Sequence, residues 1–334
     1  MKAMVIEKYG KTPLRLADRP MPEAGEHEVL AEIRAASINP IDFKIRDGKL
    51  RMLLKYEMPL ILGNDFSGVI TQVGDKVKKF RVGDEIYGRP RKSKIGTFAE
   101  YIVVHEDDIA LKPRNLTFEE AASIPLVGLT SYQALHDILQ LTAGQKVLIQ
   151  AGAGGVGTFA IQLAKVMGIY VATTASEAGT ELVKSLGADQ VINYKTEQFD
   201  QVLHNYDGVY DTLGGEALER AFRIVRPGGQ VVSVSGLPNA RFGAEYGAGF
   251  LKTTALRLVT RKLTKLEKQY NVKYSFLFMK PSGRQLDIIT AYLESGAIKP
   301  VIDRVFPLDE AQQAMQYSES GRAKGKIILR VKCE

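Results

Sequence analysis

Apolar positions change their period along the chain. Up to about residue 115, short runs at 3–7, 28–35, 67–73, 85–87 and 99–104 alternate or are β-branched, as half-buried strands do. Pro20, Pro22, Gly25, Gly63, Gly74, Gly83 and Gly88 interrupt them. Val73-Gly74-Asp75 and Val82-Gly83-Asp84 read as turns between strands. The pattern favours an irregular β-barrel over a sandwich. From Thr117 the period becomes helical. Thr117 with Glu120 three residues on forms a capping box for a helix over 118–123, and a second helix is expected over 126–139.

Strands and helices then alternate. Strands are expected at 146–150, 169–174, 190–193, 208–211 and 230–235, and helices at 156–167, 177–186 and 215–225. Strands separated by helices of this length signal βαβ units on a parallel sheet. The stretch 237–273 breaks the rhythm. Leu251, Ala255, Leu258 and Val259 there suit a basic amphipathic helix. A strand at 274–279, a helix at 285–294, a strand at 301–306, a helix over 309–317 and a strand at 326–331 close the chain. The last strand is expected to return to the first domain, making the α/β unit an insertion.

Length and composition narrow the classes. The 334 residues suggest two domains. With 45% hydrophobic and 25% charged residues, the chain is not disordered, collagen-like or disulfide-stapled. No apolar run spans a bilayer and no secretory core opens the chain, so no membrane partner is expected and a cytoplasmic location is. A single cysteine, Cys333, forms neither an internal disulfide nor a cysteine-rich zinc site. The net charge of +7 concentrates in Lys252, Arg257, Arg261, Lys262, Lys265, Lys268 and Lys273, against Glu267 alone. Such a run binds RNA or an acidic partner in one reading. It lacks the interleaved aromatics of a stacking platform, which counts against RNA.

The sharpest chemical signal is Gly152-Ala153-Gly154-Gly155-Val156-Gly157, between an apolar strand and a helix. In that context the glycines make a dinucleotide fingerprint. Gly152 permits the tight turn, Gly154 admits a pyrophosphate, and Gly157 lets helix and strand pack closely. The helix N-terminus then faces the phosphates. About 20 residues on, where NAD sites place a carboxylate, stands Thr174. Thr174 and Ser176 suit a 2′-phosphate, with Tyr194 and Lys195 beside the adenosine, so NADPH is expected. Glu177 is the contrary residue. His27, His105, His136 and His204 share no ligand spacing, so no metal is expected. No nucleophile elbow is present.

These residues place the chain. Ala36-Ser37-Ile38-Asn39-Pro40-Ile41-Asp42-Phe43-Lys44, Leu62-Gly63-Asn64-Asp65-Phe66-Ser67-Gly68, Val82-Gly83-Asp84-Glu85-Ile86-Tyr87-Gly88 and Gly96-Thr97-Phe98-Ala99-Glu100-Tyr101 carry a resemblance. So do Pro125-Leu126-Val127-Gly128-Leu129-Thr130-Ser131-Tyr132, the glycine turn, Tyr274 to Gly283, and Gly321-Arg322-Ala323-Lys324-Gly325-Lys326. The chain resembles the medium-chain dehydrogenase/reductase superfamily, in its zinc-free quinone oxidoreductase and enone (2-alkenal) reductase branch. The resemblance implies a chaperonin-10-like β-barrel catalytic domain (1–125 and 280–334) and a doubly wound Rossmann domain (126–279). It places the active site in the cleft between them, implies a homodimer, and makes the basic segment 252–273 a lid or a dimer surface. Asn39-Pro40-Ile41-Asp42 stands where zinc members carry a cysteine ligand, and Gly63-Asn64-Asp65 where they carry Gly-His-Glu. Arg89 to Ile95 is a short basic loop in place of the cysteine-rich lobe.

By resemblance, Asn39 lies beside the nicotinamide and substrate carbonyl, and Asp42 and Lys44 orient cofactor and loop. Thr130 contacts the nicotinamide. Gly155 and Val156 lie under the pyrophosphate, and Thr174, Ser176 and Tyr194 surround the 2′-phosphate. Leu213, Ser235 and Gly236 line the route to the nicotinamide. The Phe276-Leu277-Phe278 backbone holds the carboxamide, and Lys326 is a basic cofactor contact. The implied reaction is hydride transfer from NADPH to a quinone or to the β-carbon of an α,β-unsaturated carbonyl. Asn39 and a nicotinamide ribose hydroxyl are the expected donors to the enolate oxygen, and water or Tyr56 the proton source. The alternatives are a metal-free alcohol dehydrogenase and a non-catalytic protein that binds NADPH or RNA.

Overall fold

The computed structural model describes residues 1–332, so Cys333 lies outside the described residues. Contacts divide the chain into Met1–Leu129 with the segment from Lys280 onward, and Thr130–Met279. The sequence reading had put the first boundary at 125.

The first unit is built around the strand Glu28–Ile38. It pairs antiparallel with Asp65–Val73 along most of its length, with Tyr101–His105 near its start, and with Lys326–Arg330 at its end. Register shifts at Leu30/Ala31 and Ile33/Ala35 curl it. Glu85–Gly88 and Ile109–Leu111 extend the sheet on one side, and Ile302–Pro307 on the other. Val29, Ala31, Ile33, Phe66, Ile70, Ile86 and Val104 fill its core. A smaller sheet joins Lys2–Ile6 to Arg15–Asp18 and Leu60–Ile61. The C-terminal strand does return here, pairing Ile327 with Ile38. The Thr117 capping box is formed, with Thr117 N–H donating to Glu120 Oε2 at 2.9 Å.

The second unit is a six-stranded, all-parallel sheet. Its strands run in the order Gln190–Asn193, Tyr170–Ala175, Lys146–Ile149, Tyr206–Asp211, Val225–Ser233, Lys273–Phe276. This is the doubly wound order, and its switch point lies between Lys146–Ile149 and Tyr206–Asp211. Three expectations shift. The helix expected over 126–139 is α-helical over Pro125–Tyr132 and continues as a π-helix over Gln133–Ile138. The expected strand 274–279 is Lys273–Phe276. The amphipathic segment is three helices, Ala240–Glu245, Gly249–Val259 and Arg261–Tyr270. Gly247 and Gly249, at φ +69° and +76°, separate the first two.

Candidate active site

In the parallel unit the glycine turn is shaped by close backbone approach. Ala151 takes a positive φ of 52°, and Gly152 N–H donates to the Thr174 carbonyl at 2.9 Å. A Cβ on Gly157 would lie 2.5 Å from the Ala151 carbonyl oxygen and 2.6 Å from Gly152 Cα. Any side chain there therefore pushes helix from strand. Gly154 differs, because a Cβ there would meet only the Ala151 carbonyl oxygen, at 3.3 Å. Its glycine keeps a surface open rather than a core closed. Gly154 caps the helix Gly155–Val166 without any side-chain acceptor. The first N–H groups of that helix are thus available to an anion. Buried Phe159, Ala160, Leu163 and Ala164 anchor it.

Beside the turn lies a cavity of about 410 Å³ lined by Thr174, Tyr194, Lys195, Leu213, Glu216 and Arg220, among others. Thr174 is 4% exposed, and its Oγ1 accepts from Ala151 N–H at 2.9 Å. It braces the turn as well as lining the cavity. Arg220, missed in the sequence, contacts Glu216 at 2.8 Å and Asp200 at 3.7 Å. Its signal was the cationic face of the helix Gly215–Ile224, four residues past Glu216. Ser176 caps the next helix, and neither it nor the exposed Glu177 lines the cavity.

Buried Asp211 holds the neighbouring turn. Its carboxylate accepts from Leu213 N–H at 3.1 Å, Gly214 N–H at 2.9 Å and the Ser233 hydroxyl. Burial raises its pKa. Ser233 Oγ in turn accepts from Gly236 N–H at 2.7 Å, and Ser235 Oγ donates to the Thr212 carbonyl at 2.8 Å. Leu277 N–H is already given to the Ser233 carbonyl at 2.8 Å, so it is not a donor to a carboxamide. Phe276 packs edge-on against Phe242 at 5.1 Å. Thr130 is 5% exposed.

In the first unit a buried polar network joins residues remote in sequence. The register Ser37↔Asp65 and Ile327↔Ile38 brings Asn39, Asp65 and Lys326 together. Asp65 Oδ2 accepts from Ser37 Oγ at 2.8 Å, Asn39 Nδ2 at 2.8 Å and Lys326 Nζ at 3.3 Å. Asp65 Oδ1 accepts from Leu126 N–H at 2.8 Å. Asn39 Oδ1 accepts from Lys326 Nζ at 2.5 Å. Asp42 Oδ2 accepts from Asn39 N–H at 2.7 Å, and its Oδ1 from Asn64 Nδ2 at 2.7 Å. Asn64 Oδ1 accepts from Arg89, itself 1% exposed, at 2.9 Å. Desolvation pushes the Asp42 carboxyl up to about 7, against the Asn64 and Asn39 hydrogen bonds. It also lowers the pKa of Lys326 against the pull of Asp65.

This arrangement changes one expected role. Asn39 Nδ2 donates to Asp65 and, at 3.3 Å, to the Ser37 carbonyl. Both amide hydrogens are therefore committed, so Asn39 positions the network rather than donating to an enolate oxygen. Tyr56 lies toward the Arg89 end of this network, close enough for its charge to act on Arg89. Its hydroxyl donates to the Lys92 carbonyl at 2.7 Å, and its N–H to Tyr9 Oη at 2.8 Å. Lys92, missed in the sequence, has its ammonium pushed down to about 7 by burial and by the cations Arg89 and Lys280. The basic loop starting at Arg89 was the signal for it. Lys44 is half-buried, and burial and Lys49 lower its pKa.

Residues 25–114 match the alcohol dehydrogenase GroES-like domain, and residues 186–329 match a model described as zinc-binding dehydrogenase. The chain is 38% identical to 2-methylene-furan-3-one reductase of Solanum lycopersicum, across 98% of this chain and 79% of that protein. It is 35% identical to the chloroplastic NADPH-dependent alkenal/one oxidoreductase of Arabidopsis thaliana, with the same coverage. The quinone oxidoreductase of Coxiella burnetii superposes with a TM-score of 0.85 at 33% identity, covering 99% of each chain. The pairing of a GroES-like domain with a doubly wound nucleotide-binding sheet is that of the alcohol-dehydrogenase-like oxidoreductases. The chain belongs to the medium-chain dehydrogenase/reductase superfamily, with quinone oxidoreductases and alkenal/one reductases among its relatives.

The residues at the expected zinc positions do not fit zinc. Asn39 Oδ1 is filled by Lys326, Asn64 Oδ1 by Arg89, and both Asp65 oxygens by protein donors. Among the described residues no imidazole or thiolate is hydrogen-bonded to them, whereas zinc sites draw on nitrogen and sulfur ligands. Among the described residues no cluster of three His, Cys, Asp or Glu is placed to hold an ion. The buried ammonium of Lys326 supplies positive charge there instead.

Proposed function

We propose that this oxidoreductase transfers hydride from NADPH to quinones or to the C=C bond of α,β-unsaturated carbonyls without a metal. The observation that carries the reading is the turn from Ala151 to Gly157. It presents open helix N–H groups and an uncovered Gly154 surface beside a cavity lined by Lys195 and Arg220. Relatives named as NADPH-dependent alkenal/one and furanone reductases support the acceptor class. The absence of a carboxylate at Thr174, at the end of the second strand of the sheet's nucleotide half, supports NADPH over NADH.

When bound, NADPH supplies the hydride. The chain's residues do the rest. The glycine turn and helix N-terminus bind the pyrophosphate, and Lys195, Arg220, Ser176 and Tyr194 hold the 2′-phosphate end. The Asn39–Asp65–Lys326 network fixes the Asn39–Asp42 turn within the first unit. We assign proton delivery to Tyr56 with Lys92: the Tyr56 hydroxyl donates to the Lys92 carbonyl at 2.7 Å, and the Lys92 ammonium, lowered to about 7, is matched to that task. A cytoplasmic homodimer completes the reading. The strand Lys273–Phe276 ends its sheet among the described residues, and an unpaired edge is a template for pairing with a copy.

Substrate profiling tests the assignment. NADPH oxidation is expected with enones, enals and quinones, and no NADP reduction with saturated alcohols. Turnover of saturated alcohols alone would make this a dehydrogenase of another kind. The rate with enones should fall above about pH 7 as Lys92 loses its proton, and Lys92→Gln should remove that limb. A limb unchanged in Lys92→Gln would take Lys92 out of the mechanism.

A further inference from the structure

The helix Gly249–Val259 has its faces reversed. A surface helix of a globular protein turns its apolar stripe inward. Here Thr253 and Leu256 lie against Gly243, and no residue of the helix is buried. Phe250, Leu251, Leu258 and Val259 are 83%, 82%, 69% and 59% exposed. At 100° per residue, Leu251, Ala255, Leu258 and Val259 share one arc of the outward side. Exposed apolar clusters of this kind mark an interaction surface.

The surrounding charge says what covers it. Lys252 and Arg257 flank the apolar arc. The following helix, Arg261–Tyr270, is ordinary on its inner side, with Leu263 buried and Leu266 and Tyr270 packed on the core. Its outer stripe is Arg261, Lys265 and Lys268, at spacings of four and three residues. Lys262 is paired with Glu219 and Arg241 with Glu267. Lys252, Arg257, Arg261, Lys265 and Lys268 make no ion pair among the described residues. A second copy of this chain would bring the same cations against these and be repelled. RNA would satisfy the charge but offers no counterpart to four aliphatic or phenyl side chains, and Phe250 is the one aromatic in the helix. An anionic bilayer surface offers both an acyl boundary and negative headgroups.

We infer that the helix Gly249–Val259 and the cationic stripe of the helix after it dock this oxidoreductase onto an anionic lipid surface. Phe250, Leu251, Leu258 and Val259 enter the headgroup–acyl boundary. The contact is interfacial and involves no crossing, as no helix is long and apolar enough to span. It stands independently of the assigned chemistry and replaces the lid or dimer surface expected from sequence.

Flotation of the full chain with vesicles tests it. The protein is expected to float with phosphatidylcholine vesicles that contain phosphatidylglycerol and to stay behind with phosphatidylcholine alone. Salt should release it. Lys265→Gln with Lys268→Gln should weaken partitioning about thirtyfold, and Leu251→Ser with Leu258→Ser about tenfold or more. Both pairs should keep the wild-type melting temperature, since none of the four side chains is buried. Failure of the wild type to float with anionic vesicles overturns the inference. So does equal flotation with neutral vesicles. A dimer in sedimentation velocity that Leu251→Ser with Leu258→Ser dissociates would give the patch to a second copy. Oligoribonucleotide binding that survives those serines, without flotation, would give it to RNA.

Discussion

The two units carry their chemistry in opposite ways. In the parallel unit the site is made of backbone. Glycines at 152, 154 and 157 set how closely chain segments approach, and the helix N-terminus supplies the donors. In the barrel unit the site is made of side chains. Ser37, Asn39, Asp42, Asn64, Asp65, Arg89 and Lys326 are all buried and hydrogen-bonded to one another or to nearby backbone. The backbone site tolerates changes of side-chain chemistry but not of volume. The side-chain site tolerates changes of volume better than loss of a charge, because an uncompensated buried charge is costly.

The largest effect should come from Lys326→Met. It leaves Asp65 buried without the cation that faces it, so unfolding free energy measured in urea should drop by about 3–5 kcal/mol. A loss below about 1 kcal/mol would mean that the network is not held by charge. Gly157→Ala should come next. Its methyl collides with the Ala151 carbonyl, so stability should fall by about 1–3 kcal/mol and NADPH binding with it.

Gly154→Ala sharpens the contrast. The fold has room for that methyl, so the melting temperature should hold. The dissociation constant for NADPH should rise about tenfold, because the methyl occupies the pyrophosphate approach. A parallel loss of stability would show that Gly154 closes the core as Gly157 does.

The smallest effect is the pH response of Asp42. Its carboxyl is raised to about 7 in the fold, and it ionises near pH 4 when unfolded. Between those values the folded chain holds the extra proton, so stability falls as pH rises. Asp42→Asn lacks this loss. The variant should gain about 1–2 kcal/mol on the wild type between about pH 5.5 and pH 7 in chemical denaturation. A pH-independent difference would mean that Asp42 stays ionised throughout.

The same contrast explains what the sequence made legible. The glycine turn is local, and its strand–turn–helix context is written in consecutive residues, so its position and neighbours were readable. The alternation of strands and helices was readable for the same reason, down to the Thr117 capping box. The barrel network was not. Lys326 meets Asn39 and Asp65 only because three strands align in one register, and no spacing encodes that. The motifs containing Asn39 and Asp65 pointed to the place but not to how they are paired, so Asn39 was assigned donors it has already spent. Lys92 and Arg220 lie in stretches that read as basic, and only burial or a cavity wall singles them out there. The helices after Asn239 were read as one because Gly247 and Gly249 break the helix without disturbing its apolar period.

The central claim is that the glycine turn seats NADPH for reduction of an activated double bond with no metal assisting. The most direct measurement is the rate of NADPH oxidation with an enone by protein dialysed against a strong chelator, with bound metal quantified in the same sample. The account predicts full activity at negligible metal content, and a slower rate with NADH. Activity lost on dialysis and restored by zinc would contradict it.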